Sequence, residues 1–231
     1  MSAFADKDKN PTKLVPAKAG NCPLKHGGSA PCFPTTFTMK KLFTAADAWN
    51  GGFYELAIEL GPRSDERLLV ALKTLWRCDG LNGCHKDSAA EPSNQPRILP
   101  DLNGHLLGIA TVPGGRQVAC GTFTVREDNG SEWLGFYLPM GALETVYDVG
   151  AFPFNDDTSN RAWREPLDTW LVQIAKSVFS VTPFSLALLG HEVSGETSAE
   201  EIKSQNIPKD RWIGYLWQEN EHLVWYPPAQ Y

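Results

Sequence analysis

Residues 53–60 read Phe-Tyr-Glu-Leu-Ala-Ile-Glu-Leu, and this run decides the fold class. Tyr54, Leu56, Ile58 and Leu60 fall on one side of an extended chain and Glu55, Ala57 and Glu59 on the other, because successive side chains of a strand point to opposite faces. Such alternation marks a half-buried strand, here with an acidic outward face. A helix follows at once. Pro62 and Ser64 lead into Asp65 and Glu66, and Arg77 stands near the far end, charges that complement a helix dipole. Leu68, Leu72, Leu75 and Trp76 return at helical spacing. Residues 79–103 carry Gly80, Gly83, Pro92, Pro96 and Pro100 and read as a long loop. Leu106–Val112 and Gln117–Arg126 then make a hairpin across Pro113-Gly114-Gly115.

The same order recurs downstream. Trp133–Leu138 reads as a strand and Pro139–Trp163 as a connection, and Pro166 suits the first turn of a helix. That helix carries Leu167, Trp170, Leu171, Ile174, Ala175, Val178 and Phe179 at spacings of three and four. Phe184–Glu192 is nearly all apolar up to its polar end, as a central strand covered on both sides would be. Thr197 and Glu200 match a capping box for a short helix. Trp212–Trp217 and His222–Tyr226 form a last hairpin. Strand, helix, strand, strand thus occurs twice. It predicts an α+β domain over 39–231, with a mostly antiparallel sheet, helices packed on it, and halves of about 39–130 and 131–231. Thr44–Asp47 is expected to start a short helix that carries Trp49 and stops at Asn50-Gly51-Gly52. Residues 1–38, broken by prolines 11, 16, 23, 31 and 34, read as a disordered or extended tail.

Composition narrows the function classes. The 231 residues are 42% apolar and 21% charged, ordinary globular material. The longest apolar runs, near Leu68–Leu72 and Phe184–Leu189, fall far short of the roughly 20 residues that span a bilayer. The start of the chain, with Asp6, Lys7, Asp8 and Lys9, has no apolar signal region, so a cytoplasmic location and no membrane partner are expected. Residues 1–41 hold seven Lys and two Asp, a net of +5, which leaves 14 basic and 25 acidic residues beyond them, a net of −11. An acidic body of that size repels nucleic acid and attracts cations.

The candidate sites are sparse. Cys22, His26 and Cys32, and Cys78, Cys84 and His85, carry zinc-type ligands, but gaps of nine and five residues between the paired cysteines do not match structural zinc spacing. No metal or cofactor is expected. An odd count of five cysteines argues for reduced thiols, and Cys120 alternates within a strand as a small apolar residue. Ser194 lacks a nucleophile elbow. His191 and Glu192 close the central strand but point to opposite faces of it. Eight Trp and 11 Phe supply either core or contact surface.

Three classes of function fit. In general character, acidic, aromatic-rich and without catalytic apparatus, the chain is similar to bacterial immunity proteins, and that class-level likeness implies a non-enzymatic cytosolic domain that neutralises a basic toxin. Its partner contacts would come from Glu55, Glu59, Asp156, Asp157, Trp163, Arg164, His191, Glu192, Glu196 and Trp217. Further acidic patches are expected at Glu200, Glu201, Glu219 and Glu221. The alternative is a small-molecule-binding domain or enzyme using a cleft between the halves, with His191 or Glu192, Glu55 and Arg164 as its polar groups. The third is an adaptor whose tail orders on binding.

Overall fold

The computed structural model describes residues 41–102, 104–128, 130–154 and 160–229. The alternating run at residue 53 becomes β1 (Phe53–Pro62), flanked by β5 (Ser131–Pro139) on one side and β6 (Leu186–His191) on the other. From β5 the sheet continues through β4 (Gln117–Arg126) and β3 (Leu106–Thr111) to an edge at β2 (Leu81–His85). From β6 it continues through β7 (Gly214–Glu219) to an edge at β8 (His222–Tyr226). All seven pairings are antiparallel. The architecture is α+β.

Helices α1 (Asp65–Leu75) and α3 (Asn160–Phe179) cover one face. Their stripes, Leu68, Leu72 and Leu75 with Leu167, Leu171, Ile174 and Val178, close over Leu56, Ile58, Leu60, Leu134, Phe136 and Leu138 in the main core. Each such side chain contributes about 1.5–3 kcal/mol by leaving water. Ser64 caps α1 as its sequence suggests, its hydroxyl accepting from Arg67 N. On the opposite face a smaller core joins Ala57, Trp133, Leu186, Leu188, Val193 and Tyr215 to Ala199 and Ile202 of α4 (Ala199–Gln205). The central strands are therefore closed on both sides. That reverses the exposure expected for β1: Glu55 and Glu59 are buried, because the β6–α4 segment lies over their face.

Other expectations shift for physical reasons. The proline-rich stretch 79–103 contains the edge strand β2 and a 3-10 turn at Pro92–Asn94. A five-residue strand, four of whose residues pair with β3, carries too little pattern to stand out beside Gly80 and Gly83. The connection after β5 opens with a short helix, α2 (Met140–Glu144), and α3 begins at Asn160, which places Pro166 inside the helix. Pro166 and Ala162, whose carbonyl would have received the missing bond, are both exposed, so water can serve that carbonyl. The capping box is Ser198 with Glu201, one residue beyond the expected pair. Residues 46–49 form a turn, not a helix. The main-chain N–H groups of Leu42 and Thr44 donate to the Glu91 carboxylate at 2.9 and 2.8 Å and fasten this stretch to the 86–102 connection.

Close packing fixes one backbone crossing. Gly141 N donates to Asn50 O at 2.9 Å, and a Cβ on Gly141 would run into the carbonyl oxygen of Asp47, a main-chain atom that cannot swing away. Gly141→Ala is expected to lower stability by roughly 1–3 kcal/mol or more, as overpacking does, measured by urea unfolding. An unchanged unfolding midpoint would show that the crossing has slack.

Candidate functional site

Two polar systems spring from β1, one on each of its faces. On the helix side Tyr54 is fully buried, and its hydroxyl donates to Asp168 Oδ1 of α3 at 2.5 Å. Arg164, one turn earlier on α3 and only 4% exposed, donates from Nε to the same hydroxyl at 3.3 Å and reaches Trp212 O at 3.5 Å. The guanidinium carbon lies 5.0 Å from the centre of the Phe152 ring, and Trp163 meets the Tyr54 ring edge-on at 5.4 Å. Burial, reinforced by the Asp168 carboxylate, holds the Tyr54 hydroxyl protonated well above its ordinary range. His191 joins the margin, with Nε2 3.2 Å from Gly51 O and its ring edge-on to Phe152 at 5.8 Å.

On the other face the two buried glutamates of β1 hold the segment between β6 and α4. Glu55 Oε2 accepts from Ser194 N at 3.1 Å and from Ser194 Oγ at 2.9 Å. Glu59 Oε2 accepts from Ala199 N, the first residue of α4, at 2.6 Å. Burial raises the pKa of both carboxyls, against the opposing pull of these bonds. A raised carboxyl favours the folded state when protonated. Its contribution is complete below the unfolded value and is lost as pH rises through the raised folded value. Around these anchors the chain presents Glu192 at φ 47° before Ser194, Glu196 between the two, and Glu200 just after Ala199, all exposed. Trp212, 53% exposed, precedes Ile213, which packs with Val193 beneath the same segment.

The residues singled out from sequence therefore fall into separate roles. Trp163, Arg164 and His191 come together around Tyr54 and Phe152. Trp163 and Arg164 are core, and Glu55 and Glu59 are supports beneath a surface instead of the surface itself. Glu192 and Glu196 are exposed on the supported segment. Trp217 is half-buried against α4, lining a groove of about 450 Å³ with Ile202, Ile207 and Tyr226. Asp156 and Asp157 lie outside the described residues, as do Cys22, His26 and Cys32 and the whole of the expected tail. Among the described residues no three His, Cys, Asp or Glu side chains gather closely enough to hold a metal ion. Cys84 and Cys120 are buried thiols, and burial pushes Cys84 up to about 11.

Sequence reasoning missed the polar roles of Tyr54, Asp168 and Ser194. Tyr54 and Asp168 are 114 residues apart, and only the docking of α3 on β1 makes them partners. Ser194 sits in a loop with no periodicity to mark it, and Trp212, expected to open the last hairpin, lies just before β7.

No helix among the described residues is long and apolar enough to cross a membrane. No protein-family model, curated protein or solved structure matches the chain.

The buried hydroxyl is a direct test of how α3 is held. Tyr54→Phe keeps the ring but strips Asp168 and Arg164 of their shared partner, and should cost about 1–3 kcal/mol in chemical unfolding, with the circular dichroism of the folded state preserved. A loss below a few tenths would mean that the network contributes nothing net.

Proposed function

We propose that this chain is a non-enzymatic protein-binding domain that neutralises a basic protein partner, in the manner of a bacterial immunity protein. The carrying observation is the β6–α4 segment. Glu192, Glu196 and Glu200 are exposed on it, while two points along it are tied to buried carboxylates of the central strand. A loop on a rigid scaffold loses little freedom on binding, which favours affinity. Trp212 beside it supplies an exposed aromatic of the kind that dominates interface energetics. The net charge of −11 over residues 42–231 adds long-range attraction for a cationic partner and repulsion for nucleic acid.

A specific groove favours the second reading, a small molecule held between the two halves. It measures about 610 Å³ and is lined by Glu59, Gly61, Arg67 and Gly130 from the first half and by Ser131, Ser185, Lys203 and Gln218 from the second. Its lining holds none of the polar groups expected from sequence, His191 or Glu192, Glu55 and Arg164.

Charge reversal separates the two readings. The triple variant Glu192→Lys, Glu196→Lys, Glu200→Lys should fold normally yet lose protection of cells against the basic partner and lower its association rate at least tenfold at low salt. The wild-type association rate should itself fall steeply as ionic strength rises. Full protection by the triple variant would contradict the proposal.

A further inference from the structure

Ala57 of β1 pairs with Gly135 of β5, and together they present almost no side chain to the face beneath the acidic segment. Larger side chains line this gap, Phe123, whose ring lies over Gly135, Val125 and Trp133, together with Ser194 and the backbone at Gly195. The result is a small, mostly apolar pocket of about 130 Å³, close to the bulk of one side chain. One carboxylate lines it and two more lie nearby on β1. Glu127 lines it directly. Glu55 and Glu59 flank Ala57 on the same face of β1, and Ser194 in the pocket wall is the residue that Glu55 holds. Burial raises the Glu59 carboxyl, Glu127 adds to that rise, and Lys203 opposes it. Trp133 is 6% exposed, and its indole N–H has no acceptor among the described residues.

We propose that this pocket receives an arginine side chain of the basic partner, its aliphatic stem against Phe123, Val125 and Trp133 and its guanidinium facing Glu127. The assignment rests on the protein-binding reading above and gives it an anchor point. Arginine fits on three grounds. Its stem covers apolar surface while the head stays polar. Its weakly hydrated guanidinium stacks on aromatic rings and bonds carboxylates in pairs. The cation also complements the Glu127 carboxylate in the pocket wall.

The test uses the full chain and N-acetyl-arginine amide as the probe, with the neutral citrulline counterpart as control. The Trp133 indole N–H resonance is followed by ¹⁵N NMR and assigned through the backbone, so that no core substitution is needed. Arginine amide should produce a saturable shift with a dissociation constant in the millimolar range, citrulline amide none, and Glu127→Gln should weaken binding at least fivefold. Absence of a saturable arginine shift, an equal response to citrulline, or an unchanged constant in Glu127→Gln would each overturn the assignment. A blank titration together with charge-dependent neutralisation leaves the partner reading standing and removes only this pocket. A positive titration with full protection by the charge-reversed triple variant removes the partner reading instead.

Discussion

The structure turns on the enclosure of β1. A strand with neighbours on both edges and cores on both faces has no outward side, so glutamates that alternate along it are driven inside. A buried carboxylate is expensive unless something bonds to it. Here Ser194 and Ala199 do, and both belong to the segment that closes that face. The requirement for hydrogen-bond partners thus selects where the β6–α4 segment must lie, and the burial that creates the requirement comes from that same segment.

The other side of the strand obeys the same rule with different groups. Tyr54 brings a hydroxyl into an otherwise apolar helix–sheet interface, and α3 answers with Asp168 and Arg164 one turn apart. Apolar contacts alone would tolerate sliding of α3 along its ridge. A hydroxyl shared between two defined groups fixes one position, since a slip by a turn would strand a buried polar group. Arg164 then extends the link to the Trp212 carbonyl, so the exposed indole beside the acidic segment is tied through α3 to the central strand. Supports on both faces of β1 converge on one end of the surface proposed to bind.

Much of this was legible from residue order. Alternation at 53–60, the helical stripes at 68–76 and 167–179, and the apolar run at 184–192 gave β1, α1, α3 and β6, and with them the α+β class. Exposure of Glu55 and Glu59 was not legible. An alternating strand reads the same whether its polar face meets water or a covering loop, and the cover comes from residues 139 to 140 positions away. For the same reason the sequence marks His191 and Glu192 as strand-end residues but is silent on Ser194, whose importance lies entirely in what Glu55 needs. The small pocket is equally hidden, because it arises from the pairing of Ala57 with Gly135 across two strands distant in sequence.

The central claim is that buried carboxylates of β1 hold the acidic segment in place. Amide hydrogen exchange on wild type and on Glu59→Ala tests it most directly. Loss of a hydrogen bond to a charged group, worth ~1.5–3 kcal/mol, should speed exchange at Ala199 by about tenfold or more and leave the β1–β5 amides protected. Exchange at Ala199 that does not change, or a rise shared equally by every strand, would contradict the account.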